Sequence, residues 1–171
     1  MFKTVLLKID SILAKVTTLM LWVVGVPFFS ALMVEVVARK VFNHSIFGVY
    51  EMEGFMATWV SMLGAYLAYR NREMARLGFV LERLSPRWRV RVELLNKLLV
   101  FVALILLGIS GILFVTNPAV STQTSISYGF PIMYAYVGIP VGIFLMAFET
   151  LLLLLIKGVD TLEIDKKEEV V

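Results

Sequence analysis

Four glutamates lie in or beside long apolar stretches, where an ionised side chain is unfavourable. They are Glu35, Glu51, Glu53 and Glu149. A charged side chain at the middle of a membrane helix costs about 2.5–3.5 kcal/mol on insertion scales, and less near the helix ends. Each glutamate therefore needs either a partner or a function. The first three could form an ion or proton relay, but the sequence favours ion pairs with Arg39 and Lys40 that fix helix ends at the outer membrane surface.

Glu149 stands apart because it lies about two turns inside the last apolar stretch. A carboxylate at that depth needs a partner. Arg70 or a basic group on another subunit is the predicted partner. The alternative is that Glu149 binds a coupling ion.

Few residue types suited to catalysis or to metal binding are present. The chain has no Cys and one His, His44, so disulfides, thiolate metal sites and a bis-histidine haem are excluded within it. A lone His44 is more typical of a solvated loop than of a metal ligand. The sequence also lacks a phosphate-binding loop, a dinucleotide fingerprint, a Ser-His-Asp set and a HExxH motif. We therefore expect no enzyme activity, no cofactor, no metal and no nucleic-acid partner.

The composition indicates an integral membrane protein. Hydrophobic residues make up 60% of the 171 residues and charged residues 17%, against about 25% charged residues in soluble domains. Several apolar runs exceed the about 18 residues that identify a membrane helix. The predicted fold class is an all-α integral membrane protein with four transmembrane helices and interfacial amphipathic helices.

The alternation of apolar and charged stretches divides this single membrane domain into eight segments. We predict an interfacial helix at 1–15, spans at 16–38, 50–69, 94–116 and 131–156, a basic amphipathic cytoplasmic segment at 72–93, a periplasmic loop at 117–130 and a cytoplasmic tail at 157–171. A cleaved signal peptide is the other interpretation of the basic N-terminus, but the apolar run behind it is too long for one. Pro27 should kink the first span.

The basic residues predict the orientation. Eight of the 16 Lys and Arg residues fall between Arg70 and Lys97, whereas the 117–130 loop has none. Cytoplasmic segments carry the excess of basic residues, so both termini are predicted to be cytoplasmic. The central arginines are expected to set this orientation or to bind anionic lipid head groups. They are Arg70, Arg72, Arg76, Arg83, Arg87, Arg89 and Arg91.

The second span carries two stripes at helical spacing. The small stripe consists of Gly54, Ala57, Ser61, Ala65 and Ala68, and the aromatic stripe of Phe55, Trp59, Met62, Tyr66 and Tyr69. Small residues let helix backbones approach closely within a membrane, where apolar burial alone does not favour helix over lipid. The small stripe is therefore predicted to be a subunit packing face, and the aromatic stripe a packing surface rather than a cofactor site.

Several short motifs resemble the small, four-span membrane subunit of tripartite ATP-independent periplasmic (TRAP) transporters. They are Arg39 with Phe42-Asn43-His44-Ser45, Glu51 eight residues before Trp59, Leu63-Gly64-Ala65, Ala68-Tyr69-Arg70, Leu84-Ser85-Pro86, and Tyr136 with Ile139-Pro140-Val141-Gly142. Their order and spacing follow the family over most of the chain.

This resemblance implies a sodium-driven importer of an organic acid, of the sialic acid or C4-dicarboxylate class, in the bacterial inner membrane. A periplasmic substrate-binding protein captures the substrate and a large membrane subunit moves it. The small subunit is expected to brace that large subunit and to help dock the binding protein. From the residues alone, two alternatives stay open: a membrane anchor of a redox complex, or a small autonomous homo-oligomeric transporter with Glu149 as its coupling group.

Overall fold

The computed structural model describes residues 2–71 and 86–168, which are almost entirely helical. The helices are α1 (Phe2–Val41), α2 (Val49–Arg70), α3 (Pro86–Thr116), α4 (Pro118–Ser121), α5 (Met133–Tyr136) and α6 (Gly138–Glu168). Within these residues the extended structure is a single isolated bridge between Thr124 and Pro131. The predicted all-α class is confirmed.

Three helices are long and apolar enough to cross a membrane. They contain Lys8–Val41, Arg91–Thr116 and Met133–Leu155, with mean hydropathies of 2.0, 3.0 and 2.2. Helix α2 has 22 residues, or about 33 Å, which is enough for a bilayer core of about 30 Å. It is less apolar because it holds two glutamates near its start and several small and aromatic residues. The four-span count stays a prediction.

Helix α1 is continuous over 40 residues and contains Pro27. The predicted interfacial helix at 1–15 and the predicted span at 16–38 are therefore parts of one helix. Between these two segments no Gly or Pro interrupts the chain, so nothing in the local sequence ends the helix there.

The other predicted segments map onto the helices with shifted limits. The span predicted at 94–116 lies in α3, and the one predicted at 131–156 comprises α5 and part of α6. The predicted 117–130 loop contains α4 and residues of the isolated bridge. Of the basic segment at 72–93, residues 72–85 lie outside the described residues and the remainder belongs to α3. Helix α6 continues into the predicted tail.

The long helices pack in the order α1, α2, α6, α3. Helix α2 contacts both α1 and α6, and α3 packs against α6. Leu63 and Tyr66 of α2 and Thr150 of α6 are fully buried where these helices meet. Large apolar side chains cover the outer faces of α1 and α3, and such faces suit contact with lipid or with another membrane protein.

Candidate functional site

Glu35 organises the connection between α1 and α2. Its side chain is buried, with 3% of the residue exposed. One oxygen accepts hydrogen bonds from Ser45 Oγ at 2.6 Å and Arg39 Nη2 at 2.9 Å, and the other accepts from the Ile46 amide at 3.0 Å. The predicted pairing with Arg39 is therefore seen, but two of the three donors come from the loop. Glu35 fixes the 42–48 connection, and Lys40 is exposed in the last turn of α1.

Glu51 binds a distant loop rather than a basic side chain. Its two oxygens accept from the backbone amides of Ile126 at 3.1 Å and Ser127 at 3.0 Å. A backbone hydrogen bond inside the same turn joins its two ends, since the Ser125 amide donates to the Phe130 carbonyl at 2.8 Å. Glu51 thus ties the start of α2 to the 117–132 segment.

The two loops are in direct contact next to Glu51. Gly48 has a φ of +82°, and a Cβ built on it would lie 2.9 Å from Tyr128 Oη and 3.2 Å from Ser127 Cβ. Glycine is therefore required here both by the backbone conformation and by the close approach. We call this region, formed by residues 42–48 and 117–132, the loop end.

Removing the Glu51 carboxylate should release the 125–130 turn. In Glu51→Ala, amide exchange at Ile126 and Ser127 is expected to accelerate about tenfold or more, because hydrogen bonds to a charged group contribute about 1.5–3 kcal/mol each. Hydrogen–deuterium exchange measured by mass spectrometry would show this. Glu53→Ala is the matched control, since the buried Oε1 atom of Glu53 has no hydrogen-bond partner among the described residues. Equal exchange in the two variants would contradict the assigned role.

At the other end of the bundle, α1 and α2 are joined by an ion pair. Arg70 donates to both oxygens of Asp10, from Nε at 3.0 Å and from Nη2 at 2.6 Å. Their side chains are 27% and 19% exposed. We call this the Arg70 end. The bidentate partner of Arg70 is thus Asp10. The predicted pairing of Glu149 with Arg70 or with a basic group on another subunit stays a prediction.

Glu149 lies beside this pair. It is 6% exposed and interacts with Asp10 as well as with Arg70. The neighbouring Thr150 hydroxyl is 2.7 Å from the Tyr69 hydroxyl, which places this turn of α6 against the last turn of α2.

The sequence analysis does not identify Asp10 as a partner of Arg70. It is the first acidic residue of the chain, and the next one, Glu35, is at the other end of α1.

The two stripes of α2 lie about 100° apart on the helix surface. The aromatic stripe points inward: Trp59 Nε1 donates to the Tyr134 carbonyl at 3.1 Å, and Met62 packs against Gly142 of α6. On the small stripe Gly54 and Ser61 are exposed, and Ala57, Ala65 and Ala68 are half-buried. Helix α2 is thus held by α1 and α6, and its small stripe is exposed at Gly54 and Ser61.

The central arginines are only partly described. Arg87 lies in the first turn of α3, and Arg89 and Arg91 are exposed on the same helix. The Arg91 guanidinium stands 5.5 Å from the ring centroid of Trp88, a cation–π geometry. Arg72, Arg76 and Arg83 lie outside the described residues. Lipid binding by this group stays a prediction.

Comparison with known proteins identifies the family. No curated protein matches the chain. A family model, described as the DctQ component of tripartite ATP-independent periplasmic transporters, matches residues 28–159. This range is about three quarters of the chain and includes Glu35, Glu51 and Glu149, but not Asp10. The chain therefore belongs to the DctQ family and is a multi-pass inner-membrane component of a tripartite ATP-independent periplasmic transporter.

Proposed function

We propose that this chain is the small scaffold subunit of a sodium-driven transporter for an organic acid of the sialic acid or C4-dicarboxylate class. In this proposal the outward face of α2 braces the large membrane subunit, and the loop end helps dock the periplasmic substrate-binding protein. The observation that carries it is the division of α2 into an inward aromatic stripe and an outward small stripe. Membership of a three-part transporter replaces both the redox-anchor and the autonomous-transporter alternatives.

The outward face of α2 suits close contact with another helix. A Cβ built on Gly54 would meet no atom within 4 Å, and the Ser61 side chain is exposed. Small residues at these positions leave a shallow groove into which a second helix backbone can fit. Because Tyr66 and Leu63 bury the opposite face against α6 and α1, the helix is already fixed before a partner arrives.

Filling this groove should weaken subunit association. In Ala57→Leu and Ser61→Leu, the amount of large subunit that co-purifies is expected to fall about tenfold, because the added side chains prevent close helix approach. The subunit itself should remain stable, since the new side chains point outward. Ala103→Leu, on an exposed position of α3, adds the same volume elsewhere and should leave association unchanged. Unaltered co-purification of both α2 variants would remove the packing face from the proposal.

The loop end has the features of a docking surface. Ile126 and Phe47 are 93% and 79% exposed, and the 117–130 segment carries no charge. Glu51 ties this segment to the start of α2 through the Ile126 and Ser127 amides. Exposed apolar residues on a rigid backbone are typical of protein-binding surfaces.

Polar replacement of these side chains should impair docking selectively. The double variant Phe47→Ser, Ile126→Ser is expected to weaken binding of the substrate-binding protein about tenfold, as loss of an interface anchor costs more than about 1 kcal/mol. Binding can be measured with the assembled membrane complex in nanodiscs. Assembly with the large subunit should be unaffected. Loss of assembly, or unchanged docking, would contradict a docking role.

The substrate path is assigned to the large subunit because the main cleft of the described chain is unsuited to an acid. That cleft lies between α3 and the α5–α6 region and is lined by Thr116 and by apolar side chains such as Val115 and Phe144. No cation lines it. The proposed coupling to sodium is tested by uptake into vesicles containing all three components, which should require an inward sodium gradient.

A further inference from the structure

The outer side of α3 carries a continuous stripe of exposed side chains that changes from cationic and aromatic to aliphatic along its length. Trp88 and Arg91 begin the stripe, and six aliphatic side chains continue it at helical spacing. These six are Leu95, Leu99, Val102, Leu106, Ile109 and Leu113, and every side chain of the stripe is exposed. Steps of three and four residues keep them on one side of the helix. We call this set the α3 outer stripe.

The opposite side of α3 packs against α6. A Cβ built on Gly108 would lie 2.8 Å from Phe144 Cζ, and one built on Gly111 would lie 3.3 Å from Pro140 Cβ. At about 100° per residue, both glycines lie on the far side of α3 from the stripe. The α3 outer stripe therefore faces away from α6, the long helix that α3 contacts.

The end of the stripe at Arg91 is positively charged. The Arg91 guanidinium stands 5.5 Å from the Trp88 ring centroid, so a cation–π interaction holds the two side chains together. Arg89 is exposed at the same level of the helix. Glu93, the one acidic residue in the sequence of α3, lies on the side away from the stripe and is 3.7 Å from Lys97. The stripe thus presents a cation beside an aromatic ring, followed by aliphatic side chains alone.

The aliphatic part of the stripe suits lipid chains better than a packed helix. It contains no Gly, Ala or Ser, the residues that let two membrane helices approach closely. One leaflet of the hydrocarbon core is about 15 Å thick, which corresponds to about ten residues of helix. Counted from Arg91, that distance reaches the level of Val102. A lipid with its phosphate at Arg91 would therefore lay its acyl chains along Leu95, Leu99 and Val102.

We propose that the α3 outer stripe binds an anionic phospholipid, with the head-group phosphate at Arg91 and the acyl chains along the aliphatic side chains below it. Trp88 suits the head-group level, where Trp is enriched in membrane proteins. A basic side chain near the membrane surface attracts anionic lipid more strongly than zwitterionic lipid. This inference goes beyond the bracing role of α2, because it assigns lipid to a different helix and does not depend on the large subunit.

Fluorescence quenching by brominated lipids tests this proposal. The chain has no Cys, so Leu99→Cys provides a single position for a bimane label in the full-length subunit, which is then reconstituted into vesicles. Bromine atoms on the acyl chains quench a label that the lipid contacts. Brominated phosphatidylglycerol is expected to occupy the site with about fivefold preference over brominated phosphatidylcholine, the ratio that corresponds to about 1 kcal/mol for one arginine near the surface.

Two charge variants of the labelled protein locate this preference. Arg91→Gln should reduce it to less than about twofold. Lys40→Gln is the matched control, since it removes an exposed positive charge from the last turn of α1 and should keep the preference. Equal quenching by the two lipids, or a preference that survives Arg91→Gln, would overturn the proposal.

A label that neither lipid quenches would show that protein covers the stripe, as a second copy of the chain would, and would also overturn the proposal. These measurements use the small subunit without the large one. A negative result would therefore not contradict the bracing role of α2, which has its own test.

Discussion

Replacing Gly142 with valine is expected to push α2 and α6 apart and to prevent stable folding of the subunit. A Cβ at Gly142 would lie 2.7 Å from the Cβ of Met62, 3.0 Å from its carbonyl oxygen and 3.2 Å from its carbonyl carbon. Backbone atoms of a packed helix cannot turn away as the end of a flexible side chain can. Overpacking typically costs about 1–3 kcal/mol, and here the valine methyl groups add to a clash that the Cβ alone creates.

A pair of glycine-to-alanine variants isolates this effect. Gly142→Ala should lower the free energy of unfolding, measured by denaturation in detergent micelles. Gly64→Ala is the control because a Cβ there meets no atom within 4 Å, and alanine favours a helix over glycine by about 1 kcal/mol. Replacing glycine with alanine should thus lower the free energy of unfolding at position 142 and raise it at position 64. Equal effects would show that α2 and α6 are not packed as described.

Replacing Arg70 with glutamine is expected to have the other large effect. It removes the bidentate partner of Asp10 and leaves that carboxylate without the guanidinium that joins α1 to α2. Breaking a buried ion pair by removing one partner costs about 3–5 kcal/mol. The lower end of that range is expected here, since both side chains keep some contact with solvent. The variant should accumulate poorly in membranes and unfold at a lower denaturant concentration.

Two further variants distinguish the loss of this ion pair from a general effect of removing a positive charge. Asp10→Asn combined with Arg70→Gln should recover much of the lost stability, because neither charge is then left alone. Arg91→Gln removes an exposed arginine and should change the free energy of unfolding by less than about 0.5 kcal/mol. If the double variant does not regain stability, and Arg91→Gln lowers the free energy of unfolding as much as Arg70→Gln does, the Asp10–Arg70 pair does not join α1 to α2.

The sequence predicts the helices well because long apolar runs leave a membrane chain few other structures. It also indicates how α2 is divided, since stripes of small and aromatic residues follow directly from helical periodicity. The inward contacts of Trp59, Met62 and Tyr69 agree with their interpretation as packing residues. Helical periodicity does not identify which face of α2 another subunit covers.

Partners that are distant in sequence are harder to predict. Glu51 bonds to amides 75 and 76 residues away, and this depends on how the 117–132 segment folds back. Asp10 was placed in a separate interfacial helix, whereas the continuity of α1 carries it alongside Arg70, 60 residues further on. Both assignments require the packing of helices, which no local pattern in the sequence encodes.

The arrangement is consistent with the proposed bracing role. Glu35 and Glu51 fix the loops at one end of the bundle, the Asp10–Arg70 pair joins α1 to α2 at the other, and the close approach at Gly142 holds α2 on α6. A helix held at both ends and along one side can present its remaining face without rearrangement. Such preorganisation lowers the entropic cost of association.

Photo-cross-linking from position 61 tests the proposed role of α2 most directly. A photoreactive phenylalanine derivative in place of Ser61 should form a covalent adduct with the large membrane subunit of the transporter in intact membranes, whereas the same group in place of Ala103 should not. Adduct formation at position 61 is the result expected if the outward face of α2 is the bracing surface. The proposed role would be contradicted if the group at position 103 formed an adduct with the large subunit while the group at position 61 labelled only lipid.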